Sequence, residues 1–475
     1  MVTLPSNAAH EPGLVRKLML AGMDVARINL AHDDEAAWTA MATHVRSAAE
    51  SIGRPCRVLA DLPGPKLRTG PLQPGPEVLR VRPQRDEFGR VTARGVVTFA
   101  DPGSVRDDDV PFASPLLAAV EPGDLLVVVD TRDRPREFVV EAAAFGRYTA
   151  STDRTAYLGS GCDVLLRRGI TTLTVTQLGR LPAQPAFLEL QVGDELIVTR
   201  DEHAGRPAGA RTGRMREPAR IPCPLADVFD DVRPGQRMLF DDGRIGSVVE
   251  ANDGHELRVR IQRTPPGGAK LRAEKGINLP DTELRTPALP PQDRPRLDWA
   301  VRHADAVGLS FVQRPDDVRS LAHELNVRGR PDVGIVLKIE TAAAFARLPQ
   351  LLFAGLSSPP LGVMVARGDL AAEVGHARLA EVQEEILWLC EAAHVPVVWA
   401  TQVLESMART GQPSRAEVTD AATGVQAECV MLNKGPFVVE TVQFLDGLLH
   451  RMQEHRVKKR AQLRRLRVAG GPPPR

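Results

Sequence analysis

The sequence predicts an α/β protein: a (β/α)8 TIM barrel carrying an inserted, duplicated all-β lid domain after strand three. Two observations predict the barrel and a third predicts the insertion. Short apolar runs alternate with amphipathic helical stretches from Val2 to Asp61, and again from Pro290 to about Arg456. Strands buried on both faces read as continuous apolar runs, and the short connections between eight such β/α units suit a barrel. From Gly70 to Lys275 the helical period disappears, and the chain becomes rich in Gly, Pro and charge with short β-like runs. A doubly wound open sheet is the alternative arrangement of the same units.

The predicted strands are Val2–Leu4, Asp24–Leu30, Arg57–Asp61, Ala306–Ser310, Gly334–Ile339, Gly362–Ala366, Pro396–Thr401 and Cys429–Leu432. The first looks clipped. Between them fall predicted helices at Pro12–Ala21, Asp34–Ile52, Asp293–His303, Pro315–Val327, Ala342–Leu352, Ala377–His394, Ser414–Ala427 and Phe437–Arg456. Within the insertion, Val120-Glu-Pro-Gly-Asp124, Leu190-Gln-Val-Gly-Asp194 and Val232-Arg-Pro-Gly-Gln236 each place an apolar residue and a Gly turn before a strand. That repetition suggests duplication, divided near residues 182–185. The expected organisation is therefore 1–70 and 276–456 for the barrel, 71–275 for the insertion, and 457–475 for a basic, disordered tail. The half of the insertion nearer Lys275 is expected to be a mobile lid, and the other half a structural or partner-binding decoration.

Composition narrows the function. A net charge of +1 over 475 residues gives no sign of a nucleic-acid or membrane partner. The five cysteines lie far apart without C-x-x-C spacing, which fits a reduced, cytoplasmic protein and disfavours a zinc site or disulfide frame. No apolar leader or membrane-spanning run is seen. Only eight of the 61 basic residues are lysines, so a lysine kept at a strand end has a reason to be there. Lys66, Lys338 and Lys434 sit at such places.

The chemistry gathers at strand ends. Gly362 to Val365 is an apolar run with β-branched residues that stops at Arg367-Gly368-Asp369, after which a helix can start across Ala371–Ala380. One strand–helix unit earlier, Ile335-Val-Leu-Lys-Ile-Glu340 releases Lys338 and Glu340 in the same way. Together, Lys338, Glu340, Arg367 and Asp369 offer two carboxylates for a hard divalent cation and two cations for phosphate. In a barrel these ends share one mouth with Arg27, Asn29, His32, Asp61, Lys66, Arg68, Ser310, Thr401 and Lys434, which points to a phosphate and divalent-metal site.

Read in order, Arg-Ile-Asn-Leu-Ala-His, Gly-Pro-Lys-Leu-Arg-Thr-Gly, Lys-Gly-Ile-Asn-Leu-Pro, Leu-Lys-Ile-Glu, Val-Met-Val-Ala-Arg-Gly-Asp-Leu, Ala-Thr-Gln-Val-Leu-Glu-Ser-Met and Ser-Arg-Ala-Glu-Val-Thr-Asp resemble the pyruvate kinase family. The resemblance implies phosphoryl transfer from phosphoenolpyruvate to ADP, giving pyruvate and ATP. It implies Mg²⁺ or Mn²⁺ on Glu340 and Asp369, and Lys338 neutralising the phosphoryl group in flight. Arg27 and Arg68 grip phosphate, and Asn29 and His32, with Arg68, face the nucleotide. The Gly368 and Asp369 backbone receives the substrate carboxylate, Thr401 helps deliver a proton, and Asp242 is the lid's contribution. A homo-oligomer is compatible with the resemblance.

Departures from the family pattern carry further expectations. Where the family's potassium ligands are Asn, Ser, Asp and Thr, this chain has Asn29, Ala31, Asp61 and Leu62. Lys66 stands where potassium-dependent members carry Glu, so its ammonium, with Asn29 and Asp61, is expected to replace potassium. Ala371 replaces a Gly, and Asn433-Lys434-Gly435 replaces Ser-Gly-Glu at the last strand end. The family's C-terminal regulatory domain has no counterpart after the eighth helix, so activation by sugar bisphosphates is not expected. Two other readings compete: a Mg²⁺-dependent lyase or aldolase acting on pyruvate enolates, and a non-catalytic paralogue that binds phosphoenolpyruvate or nucleotide.

Overall fold

The computed structural model describes residues 1–116, 119–201, 203–209, 217–225, 227–357 and 360–456. The predicted tail at 457–475 lies outside them. The chain forms two compact units, residues 1–71 with those from 188 onward, and residues 72–187.

In the first unit, eight strands lie side by side in chain order. They are β1 (Val2–Thr3), β2 (Val25–Asn29), β3 (Arg57–Asp61), β4 (Ala306–Leu309), β5 (Gly334–Ile339), β6 (Leu361–Ala366), β7 (Val397–Ala400) and β8 (Cys429–Val430). The neighbours are all parallel. Val2 also bridges Leu432 in parallel, with the Thr3 N–H donating to the Leu432 carbonyl at 2.9 Å. That contact brings the first strand to the last, so the sheet is a barrel and the open-sheet alternative fails.

The helices follow their local chemistry. Glu35–Ile52 begins where Asp34 accepts from the Ala37 N–H and ends at Gly53, whose φ of 70° suits a residue without Cβ. Arg415–Thr423 opens on a Ser414/Glu417 capping box. Two expectations need correction. The helix predicted at Ala342–Leu352 is two helices, Ala342–Ala346 and Leu348–Leu356, broken at Arg347, two residues before Pro349. The helix expected over Ala371–Ala380 instead spans Arg367–Val374, and Gly375 (φ 82°) separates it from His376–Ala392.

Residues 188–278 add a six-stranded sheet, whose outer strand Ile277–Asn278 leads back toward the barrel. Residues 72–187 contain a seven-stranded sheet around their own core, where Phe99 stacks on Phe112 at 5.6 Å and meets Phe138 edge-on at 5.4 Å. The three Gly turns noted in the sequence share one geometry. Gly123, Gly193 and Gly235 have φ of 95°, 92° and 90°. Each N–H donates at 2.8 Å to a carbonyl on a following strand, of Val140, Ile261 and Val249 respectively.

Candidate active site

The two-residue period of a strand decides which side chains enter the barrel. Along β5, Ile335, Leu337 and Ile339 pack outward in the main core, so Val336 and Lys338 point inward and Glu340 follows at the strand end. On β3 the inward positions are Leu59 and Asp61, and on β2 they are Val25, Arg27 and Asn29. Leu59, Met364, Val398, Ala400 and Met431 form an apolar plug, with Val25 and Val336 packed against it. The next inward layer toward the C-terminal strand ends is polar, as the barrel geometry requires for a site.

Lys338 organises that layer. Its ammonium lies 3.2 Å from Asp61 Oδ1 and 3.1 Å from Glu340 Oε1, and donates to Ser310 Oγ at 2.6 Å. Arg27 Nε donates to Asp61 Oδ2 at 2.7 Å, and Nη1 to Thr3 Oγ1 at 2.9 Å. Burial opposes the charge on Asp61, but Lys338 and Arg27 outweigh it and hold the carboxyl below the usual range. Burial likewise opposes the Lys338 charge, yet Asp61 and then Glu340 keep its pKa raised. For Glu340, burial is the largest influence and Lys338 counters it; Asp369 adds to the rise. Gly308 makes room for this cluster, since a Cβ there would stand 2.8 Å from Asp61 Oδ1.

Lys66 holds the second carboxylate. Its ammonium donates to both oxygens of Asp369, at 3.1 and 2.9 Å, and lies 5.8 Å from the Phe311 ring centre. The Phe311 N–H donates to Glu340 Oε2 at 2.7 Å. Thr401 Oγ1 accepts from the Gly368 N–H at 2.9 Å. Thr401 has φ 62°, followed by Gln402 at 56°, and a β-branched residue held there marks stored backbone strain.

A cavity of about 650 Å³ is lined by Arg27, Asn29, His32, Asp61, Lys66, Arg68, Lys338, Glu340, Asp369 and Thr401. These predicted residues therefore share one hollow. Arg68 donates there to the Glu274 carbonyl at 2.9 Å, and Asn29 Oδ1 accepts from the Ala31 N–H at 3.1 Å. Gly368 meets the site through Thr401. Asp242, at a hairpin turn with φ 54°, does not line the cavity. A Cβ on Gly276 would meet both Asp242 Oδ1, at 3.6 Å, and Lys66 Cε, at 3.7 Å, so Gly276 leaves room beside both.

Arg367 is corrected. It is not a cation offered to phosphate: it is buried, 4.6 Å from the centre of the Trp399 ring, and paired with Asp420. It also donates to the Ala400 and Thr401 carbonyls at 2.8 and 2.6 Å, which ties β6 to the strained end of β7. Sequence reasoning placed Ser310 at this mouth but did not find its partners: Ser310 links Lys338 to the Leu62 carbonyl at 2.6 Å. It also missed Arg296, a further guanidinium on the cavity wall. An arginine one turn into a predicted helix carries no signal of that placement.

Glu340 and Asp369 are the carboxylates that could hold a hard divalent cation. Glu340 and Asp369 bring carboxylates from neighbouring strand ends into one cavity, and Asp369 contributes to the raised pKa of Glu340. Among the described residues no group of three or more His, Cys, Asp or Glu side chains could hold a metal. With Asp61 tied to Lys338 and Arg27, Glu340 and Asp369 are the carboxylates left to meet a ligand in this mouth.

Comparison with known proteins agrees with this geometry. The family description "Pyruvate kinase, barrel domain" matches residues 2–132 and 180–442. A pyruvate kinase of Clostridium acetobutylicum is 30% identical over 266 residues, covering 54% of this chain and 52% of that protein. One from Agaricus bisporus is 32% identical over 260 residues, covering 53% and 46%. One from Agrobacterium vitis is 31% identical over 270 residues, covering 54% of each. The chain spans about half the length of the curated relatives it matches.

Proposed function

Because the chain belongs to the pyruvate kinase family, we propose that it transfers the phosphoryl group of phosphoenolpyruvate to ADP, giving pyruvate and ATP. In that reaction the enol C–O–P linkage loses its P–O bond, a β-phosphate oxygen of ADP gains one, and the enolate takes a proton at carbon.

The observation that carries the reading is the buried Lys338 ammonium between Asp61 and Glu340, in a cavity shared with Asp369 and Thr401. Phosphoryl transfer needs fixed positive charge where charge moves, in a site that need not reorganise. Lys338 answers that need, since its three partners fix its position before substrate arrives. Arg27 and Arg68 bind phosphate oxygens, to which a forked guanidinium is suited. Glu340 and Asp369 would hold Mg²⁺ or Mn²⁺. A bound divalent cation supplies charge neutralisation at the phosphate and carboxylate oxygens. The Gly368 and Asp369 backbone faces the substrate carboxylate. Asn29, His32 and Arg68 face the nucleotide, and the Thr401 hydroxyl orients the proton donor, a water.

Lys66 replaces potassium in this reading, but from Asp369 rather than beside Asn29 and Asp61, and it also competes with the divalent ion for Asp369. Asn29 bonds Ala31 instead, and Asp61 bonds Arg27 and Lys338. Catalysis then proceeds without potassium. A lactate dehydrogenase-coupled assay of pyruvate formation tests both points. The expected result is ADP-dependent turnover that is equal in potassium and in tetramethylammonium salts. Absence of ADP-dependent pyruvate overturns the reaction, and a strict potassium requirement overturns the role of Lys66.

A further inference from the structure

Beside the catalytic hollow lies a second, smaller cavity of about 40 Å³, with room for about three water-sized spheres. Its wall joins the chain's return to the barrel, at Asn278 and Thr286, to Gln313 and to Glu373 on the helix that begins at Arg367. The lining holds several buried oxygens left unsatisfied. Asn278 Oδ1, Gln313 Oε1 and Thr286 Oγ1 are buried and, among the described residues, have no hydrogen-bond partner. The Asn278 residue is 4% exposed and Gln313 is 8% exposed. The amide nitrogen of Asn278 is committed to Glu373, which leaves its carbonyl oxygen as the unsatisfied end.

Glu373 is itself 7% exposed. It accepts from the Ala342 N–H at 3.5 Å and also from Asn278 and the Leu279 backbone. Among the described residues no Lys, Arg or His lies within ion-pair distance of it, and Arg237 acts on its charge from further away. A buried carboxylate, two unmatched amide oxygens and a hydroxyl without a partner leave more acceptors than donors, which polar burial does not tolerate. A donor or a cation resolves it. One carboxylate with neutral amide and hydroxyl oxygens matches a single positive charge; hard divalent ions draw more carboxylates than this.

We propose that this cavity binds one monovalent cation of the size of sodium, potassium or ammonium. The ion fastens the return segment to the helix bearing Asp369, and its site is separate from Lys66. The inference concerns binding and does not depend on the reaction proposed above.

Thermal unfolding at fixed ionic strength tests it. The full-length protein gains several degrees in Tm, saturably, in sodium or potassium chloride relative to tetramethylammonium chloride. Q313L and E373Q each lose that gain, whereas K66M keeps it. No cation-specific gain, or a gain that persists in both cavity variants, overturns the proposal. Crystals of the wild-type protein soaked in thallium(I) acetate give a second readout that does not depend on variants folding. An anomalous peak in the cavity, in contact with Gln313 Oε1, is expected. Water density there without an anomalous peak overturns the proposal.

Discussion

Lys338 compensates two buried carboxylates, so its removal has two separable consequences. K338M leaves Asp61 and Glu340 facing each other without their common cation, which costs about 3–5 kcal/mol of stability. It also removes the fixed charge at the transferring group, lowering turnover by about a hundredfold or more. Adding D61N recovers part of the stability and none of the turnover. Denaturant titration beside the coupled assay separates the two; full recovery of turnover in the double variant would show that Lys338 is only structural. Glu373 makes a prediction of opposite sign to that of a paired carboxylate. Burial pushes its pKa from the ordinary 4.5 up to about 7. The folded state therefore holds a proton that the unfolded chain has released, and stability falls as pH rises from about 4.5 through about 7, by up to about 3 kcal/mol. E373Q flattens that slope when unfolding is followed in tetramethylammonium buffers, and an unchanged slope would contradict the assignment. The strand-end residues were legible in the sequence because a strand's period presents them as short motifs. Their partners were not. Ser310 meets Lys338 from 28 residues away and Asp420 meets Arg367 from 53, with nothing local to link them.

At the scale of elements, the alternation of strand and helix was legible down to single barrel strands, since each strand is a continuous apolar run. The helix after β6 was placed too late. Arg367 looked like a free strand-end cation, whereas it is the first residue of that helix and a clamp across two strand ends. No sequence pattern distinguishes an arginine that reaches substrate from one that stacks on a neighbouring strand's Trp399. The clamp predicts that R367K, which keeps the charge but not the fork, loses about 2–3 kcal/mol of stability. Because the Thr401 carbonyl loses its donor, kcat falls while the affinity for Mn²⁺, read by electron paramagnetic resonance, changes little. A variant with lowered Mn²⁺ affinity and unchanged kcat would place Arg367 at the metal instead.

At the scale of the whole chain, the irregular stretch between the barrel halves contains two different things. Residues 188–278 belong to the compact unit that includes the barrel, whereas 72–187 form a unit with its own apolar core. The family match omits residues 133–179, all of them within that second unit. The sequence showed repeated Gly turns here but not the strand pairings, because sheet registers between distant short runs leave no periodic trace. Near its two ends, the second unit holds its entering and leaving stretches of chain side by side. The Gly75 N–H donates to the Gln184 carbonyl at 3.1 Å, and the Gln184 N–H to the Pro76 carbonyl at 3.0 Å. Chain ends already held side by side can be joined by a short Gly-Ser linker at small entropic cost. Replacing residues 77–183 by such a linker is therefore expected to leave a folded barrel whose Tm stays within a few degrees of the full chain. Every residue lining the catalytic hollow remains, so ADP-dependent pyruvate formation stays within the same order of magnitude. A barrel that folds but has lost turnover would instead make the second unit part of the catalytic cycle, and a chain that no longer folds would make it part of the scaffold.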